Sequence, residues 1–206
     1  MSDVSHSYDA ESNVAVREVA RRRRAFPNGW WGMALLIATE ATLFGTMIAT
    51  YFYLRFQVVS WPPAGIEPPK VALPLALTGA LLLTSAPMFL AVRAARAGRP
   101  HAAVAWIVPA LLVQGGYLAV QIVLYLDDLS KFGPQDTSYG SIYFTLLMTH
   151  HIHVFIGILL NLWIGYRLLG GLTAYRLTGV RGIALYWHFV NLAAVAVVLT
   201  QLSPSL

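Results

Sequence analysis

Apolar residues fall into five long runs separated by short polar stretches, roughly 33–54, 71–92, 102–126, 141–166 and 183–202. Each is long enough to cross a ~30 Å hydrocarbon layer, which takes about 20 residues at ~1.5 Å per residue. Alternating segments of about ten residues, the mark of a transmembrane barrel, do not occur. The pattern therefore predicts an all-α integral membrane bundle of five transmembrane helices. A polar arm over residues 1–28 precedes a single membrane domain over 29–206. Pro74, Pro87 and Pro109 fall inside the second and third runs and are expected to bend them, since proline removes a donor and crowds the preceding turn. "VVSWPPAGIEPPK" and "LDDLSKFGPQDTSYGS" read as two loops on one side of the membrane. No internal repeat is visible.

Composition agrees with lipid as the main solvent: 57% of the 206 residues are hydrophobic and 11% charged, with a mean hydropathy of +0.62. A soluble domain needs more charge than this. The absence of cysteine removes disulfides, thiolate-bound metals and Cys-attached haem. Charge placement gives orientation. Eleven of the fourteen basic residues lie in the arm and the second and fourth connections: Arg17, Arg21 to Arg24, Arg93, Arg96, Arg99, Arg167, Arg176 and Arg181. Arg55, Lys70 and Lys131 lie on the other side, against Glu67, Asp127, Asp128 and Asp136. By the positive-inside rule the N-terminus is cytoplasmic and the C-terminus outside. The arm has no apolar core of the kind a secretory signal needs. Residues 1–12 are expected to be disordered. "NVAVREVARRRRAF" reads either as a basic amphipathic helix on anionic headgroups or simply as a positive-inside anchor. Trp30 and Trp31 at one end, and Tyr51, Tyr53 and Trp61 at the other, fit interfacial aromatic belts.

The first run, "WWGMALLIATEATLFGTMIATYFYLRF", carries an acid, Glu40, ~15 Å below the surface and so near the midplane. An ionisable group at that depth is a functional candidate, against the simpler reading of a neutral acid that donates one interhelical hydrogen bond. Ala41, Gly45 and Ala49 form a small-residue ladder beside it, which favours close helix packing. In the fourth run "MTHHIHVFIG" supplies His150, His151 and His153. The first and third of these are expected to share a face while His151 points elsewhere. His188 follows in "LYWHFVN" of the last run. Four intramembrane histidines raise the possibility of haem or metal ligation. Depth opposes a His150–His188 pair: with the last span beginning at Ile183, His188 lies ~10 Å from the level of His150, with His153 about halfway between them. Gln114, Tyr117 and Gln121 on the third span, with Thr84, Ser85, Asn161, Asn191 and Thr200, complete the polar content. Such residues usually form interhelical hydrogen bonds worth on the order of 0.6 kcal/mol each.

Four motifs in order carry a resemblance: "WGMALLIATE", "WPPAGI", "SYGSIYF" followed by "HHIHVFIG", and "ALYWHFVN". Together they span Trp30 to the C-terminus, and the chain resembles subunit III of the haem–copper cytochrome c oxidases in a five-helix form lacking the family's first two helices. The resemblance implies an accessory subunit without a redox centre or metal of its own. It would pack directly on subunit I, with subunit II in the same complex and haem and copper in those partners, and cytochrome c would donate electrons to the complex. Bound phospholipid and membrane lipids are expected partners; nucleic acid is not. The resemblance also implies a prokaryotic cell-membrane location and a contribution to sustained proton uptake. Residue by residue, Glu40 matches the family's buried carboxylate, His150 and His153 its histidines, and Arg167 an arginine that holds a lipid phosphate, with Trp61 at headgroup level. His188, Gln121 and Asn191 are expected as intramembrane polar partners. The chain departs from the family pattern at Asn191, where Asp is usual, at His151, where Gly is usual, and at Leu124, where Glu is common. Subunit III of quinol oxidases and a related protein associated with nitric oxide reductase share the plan. "ATE" and "WPP" favour the cytochrome c branch. A stand-alone haem-binding or ion-conducting protein is the contrasting class.

Overall fold

In lipid, every backbone donor and acceptor must be satisfied within the chain, so apolar runs of this length become helices. The structure, a computed structural model, describes residues 28–205. The expectations for residues 1–27 of the arm lie outside them. The elements are α1 (Asn28–Phe56), α2 (Ala72–Leu83), α3 (Ser85–Arg96), α4 (Pro100–Lys131), α5 (Ser138–Leu169) and α6 (Ala174–Leu202). Because α2 and α3 act as one span, Ala72–Arg96, five helical segments are long and apolar enough to cross a membrane.

The break between α2 and α3 follows from Pro87. Having no N–H, it leaves the carbonyl four residues back, on Leu83, without its helical partner. The chain tightens there: Thr84 donates to the Leu81 carbonyl from its backbone N at 3.1 Å and from Oγ1 at 2.5 Å. Pro74 behaves otherwise than expected. It is the third residue of α2, in a first turn whose N–H groups have no helical partner anyway, so it disturbs nothing. α4 runs through Pro109 without a break.

Helices also extend beyond the apolar runs. α4 continues to Lys131, whose ammonium pairs with Asp127 one turn back at 2.5 Å, and the connection to α5 shrinks to residues 132–137. Thr137 caps α5 by accepting from the Gly140 N–H at 3.0 Å. Thr173 does the same for α6 from Arg176 at 3.2 Å. Arg176 then turns its Nη1 onto the carbonyls of Gly170 and Gly171, each at 2.6 Å, satisfying orphan acceptors at the end of α5. Gly171, at φ 92°, holds a left-handed conformation that a side chain would disfavour.

The last helix is the hub. α6 packs on α1, α2, α3 and α5, while α4 closes the far side against α2, α3 and α5. Among the described helices α1 packs chiefly on α5 and α6. Leu81, Met88, Ile107, Ile164 and Trp187 form the main core. Trp187 is fully buried against Gly157, where a Cβ would lie 2.6 Å from the indole Cζ3. That contact sets how closely α5 and α6 approach.

α1 turns Phe44, Met47, Ile48 and Tyr51 inward. Within this chain the small-residue ladder does not form a helix contact. Ala41, Gly45 and Ala49 are exposed, and nothing lies within 4 Å of a Cβ built on Gly45. The larger apolar side chains one sector away bury more area and win the contact. Tyr51 is likewise no belt residue. It is fully buried, its ring edge-on to Trp61 at 5.3 Å.

Candidate functional site

Glu40 and His153 each fall near the middle of a membrane-crossing helix, α1 and α5. Their side chains meet, with His153 Nε2 and Glu40 Oε2 3.0 Å apart. The imidazole is fixed from three sides. Its Nδ1 lies 2.7 Å from the Thr149 carbonyl one turn earlier, the Phe44 ring stands edge-on at 5.0 Å, and the Tyr186 hydroxyl donates to the backbone carbonyl of His153 at 3.2 Å. A carbonyl only accepts, so Nδ1 carries a hydrogen. The bond between Nε2 and Oε2 then needs one proton more. It sits on the carboxyl, giving a neutral acid and neutral imidazole, or on the ring, giving an ion pair. Both forms have zero net charge, which lowers the cost of placing these groups at membrane depth. The site is a one-proton carboxyl–imidazole pair with the Glu40 side chain 26% exposed and His153 10% exposed.

The three histidines of α5 divide differently from expectation. His150 and His151 turn toward α4, and His153 turns toward α1. His150 Nε2 lies 3.3 Å from the Tyr117 hydroxyl, which accepts from Gln121 Nε2 at 3.1 Å. The His151 ring is edge-on to Tyr125 at 6.2 Å. α5 lies between α4 on one side and α1 on the other, so positions three apart, offset by ~60° around the helix, reach different neighbours. One turn deeper, Asn161 Nδ2 donates to Gln114 Oε1 at 3.2 Å. These bonds form a polar seam between α4 and α5, in which His150 Nδ1, both His151 ring nitrogens, Gln114 Nε2 and Asn161 Oδ1 are buried without a hydrogen-bond partner among the described residues.

A third polar group gathers at the break between α2 and α3. Ser85 Oγ accepts from Asn191 Nδ2 at 2.7 Å and lies 3.2 Å from His188 Nδ1. The adjacent Thr84 Oγ1 accepts from the Trp187 indole at 2.7 Å. α6 begins at Ala174, nine residues before the apolar run at 183, because its first turns are polar yet capped. His188 is thus a mid-helix residue, but it turns to Ser85 while His153 turns to Glu40, so the two do not converge. Among the described residues no group of three or more His, Asp or Glu side chains is placed to hold a metal.

Arg167, at the end of α5, lies with its guanidinium 5.7 Å from the Trp163 ring centroid. Trp61 is half-buried between Tyr51 and Tyr139, with ring centroids at 5.3 and 5.1 Å. Ser85 makes an interhelical hydrogen bond of the kind expected of it, whereas Thr149 and Arg176 went unremarked in the sequence as partners. Each is a common polar residue whose role appears only once its helix is docked. The Gly170–Gly171 pair just before α6 was the one legible hint of exposed carbonyls there.

Five crossing helices with polar pairs but no clustered ligand set define a multi-pass membrane protein whose ionisable groups hydrogen-bond between helices. The family described as cytochrome c oxidase subunit III matches residues 21–200, and the chain belongs to that family. It is 27% identical over 197 residues to the cytochrome bo(3) ubiquinol oxidase subunit 3 of Pseudomonas aeruginosa, covering 95% of this chain and 87% of that one. It is 29% identical over 196 residues to the quinol oxidase subunit 3 of Bacillus subtilis, 91% of each. To the cytochrome c oxidase subunit 3 of Neurospora crassa it is 31% identical over 175 residues, 78% of this chain and 61% of that one.

Proposed function

We propose that this chain is the accessory third subunit of a proton-pumping haem–copper terminal oxidase in a prokaryotic cell membrane, N-terminus inside, packed directly on subunit I with subunit II in the same complex. Electrons pass from the donor to oxygen in those partners, which hold the haem and copper. This chain contributes lipid contacts at Arg167 and Trp61 and supports proton uptake over many turnovers. The observation that carries the reading is the Glu40–His153 pair. It holds one proton near the middle of α1, a helix whose outward face is free of other helices among the described residues and available to subunit I.

Cytochrome c is the donor favoured by the "ATE" and "WPP" motifs. A quinol donor is the second reading, favoured by the match along 87–91% of the length of two quinol oxidase subunits. The test is to extract the tagged chain in mild detergent, identify what co-purifies, record a reduced-minus-oxidised spectrum, and measure oxygen uptake with reduced cytochrome c and with a quinol. Partners bearing haem and copper, and uptake with cytochrome c, are expected. Uptake with quinol alone moves the chain to the second reading. A lone chain with its own Soret band or conductance overturns both.

A further inference from the structure

A groove of about 500 Å³ opens at the end of the bundle where α1 and α6 begin and α3 ends. Its two long walls have the same pattern. α3 contributes Phe89, Val92, Arg93 and Arg96, and α6 contributes Arg181, Ala184, Leu185 and His188. Each set is spaced i, i+3, i+4, i+7, one continuous helix face. The helices are antiparallel, so their basic ends meet. Arg93, Arg96 and Arg181 ring the mouth, the apolar side chains line the depth, and His188 closes the inner end against Ser85. Trp30 of α1 completes the rim.

The charge in this groove is unbalanced. Among the described residues none of the three arginines forms an ion pair, and every described acid lies at the opposite end of the bundle or, as Glu40, at its middle. The four residues Arg21 to Arg24, close to Trp30 in the chain, carry the same sign. Three guanidinium groups around one cavity repel unless an anion sits among them. Guanidinium groups bind phosphate oxygens in a planar, forked geometry. The volume equals that of about 17 waters at ~30 Å³ each, within the ~300–1,000 Å³ range of ligand sites. A cationic mouth at headgroup level over an apolar slot matches an amphiphile with phosphate at one end and hydrocarbon at the other.

We infer that the α3–α6 groove binds one anionic phospholipid, with its phosphate among Arg93, Arg96 and Arg181 and an acyl chain along Phe89, Val92 and Leu185. The site is separate from Arg167 and does not depend on the electron donor. An Arg167→Ala variant that keeps this lipid, or loses a different one, leaves the inference standing whatever becomes of the lipid role proposed there.

The experiment reconstitutes the native complex into phosphatidylcholine nanodiscs containing phosphatidylglycerol, re-extracts it in mild detergent, and counts both lipids per chain by mass spectrometry. The triple variant R93Q/R96Q/R181Q is expected to retain at least tenfold less phosphatidylglycerol in one site per chain, with phosphatidylcholine unchanged. Arg99→Gln, outside the groove, is expected to match wild type, and excess inorganic phosphate to displace nothing. Equal retention in the triple variant overturns the inference, as does displacement by inorganic phosphate, which would make this a site for a soluble anion. Should the triple variant fail to assemble, wild type decides. Phosphatidylglycerol with brominated acyl chains should quench tryptophan fluorescence more than the brominated phosphatidylcholine does, and the surplus should vanish in Trp30→Phe. Equal quenching by the two lipids overturns the inference.

Discussion

Replacing Glu40 separates a hydrogen bond from a transferable proton. In Glu40→Gln the amide nitrogen donates to His153 Nε2 across the same 3.0 Å, because Nδ1 keeps its hydrogen on the Thr149 carbonyl. The bond survives, net charge stays zero, and stability should move by no more than ~0.5 kcal/mol. The proton shared between carboxyl and ring is gone. Glu40→Leu removes both, leaving Nε2 without a partner in a side chain 10% exposed. An orphaned buried acceptor costs about 1–3 kcal/mol. Relaxation toward new partners, as membrane hydrogen bonds show, sets a floor of ~0.6 kcal/mol. The equilibrium for keeping α1 docked should therefore fall ~3-fold to ~100-fold in Leu and hardly at all in Gln. The assay titrates the purified complex with a denaturing detergent and measures the folded fraction, alongside proton uptake and the number of turnovers before inactivation. Gln should match wild type in stability and fall below it in proton uptake and working lifetime. If Gln is as unstable as Leu, the bond assignment is wrong; if Gln turns over as fast and as long as wild type, the pair has no part in proton supply.

Other outcomes follow from single contacts. Gly157→Ala places a Cβ 2.6 Å from the buried Trp187 ring; overpacking of this kind costs ~1–3 kcal/mol. The loss should shrink in a Trp187→Phe background, where the clashing benzo ring is absent, as a double-mutant cycle in thermal stability would reveal. Arg167→Ala should lower the phospholipid retained after mild-detergent purification, and equal lipid content counts against its headgroup role. Arg55→Ala removes the bonds to Ser203 Oγ at 2.7 Å and to its carbonyl at 3.3 Å, so proteolysis near the C-terminus should speed up while the spans stay protected.

Much of this architecture was legible because lipid leaves an apolar run of 20 residues few options. Five spans, the acid at mid-depth and the polar residues of α4 all follow from composition along the chain. Pairing was not legible. That Glu40 meets His153 and not His150 depends on α5 lying between α1 and α4, which no spacing within α5 specifies. Asn191 and His188 converge on Ser85 because Pro87 breaks the second span at Thr84, and the position of that break was hidden among three prolines with unequal effects. The ladder of Ala41, Gly45 and Ala49 finds no partner helix among the described residues, because small residues permit close packing without requiring it. Phe44 and Tyr51 simply had more surface to bury. Helix ends were missed for a complementary reason: capping by Thr137 and Thr173 lets polar turns stay helical, so α6 starts nine residues before its hydropathy rises.

The arrangement of α1 also sets an order of events in time. The helices it packs on, α5 and α6, are the last made, and 81 residues separate Phe56 from Ser138. At ~5–20 residues per second of synthesis this is a wait of roughly 4–16 s. Through that interval the first helix is in the bilayer with its carboxyl facing hydrocarbon and its imidazole partner not yet translated. Until then Glu40 lacks the partner it has in the folded chain, and the arrival of His153 supplies it. A ribosome-stalling series released before and after α6 is complete would show α1 changing from extractable to retained once both of its partner helices exist.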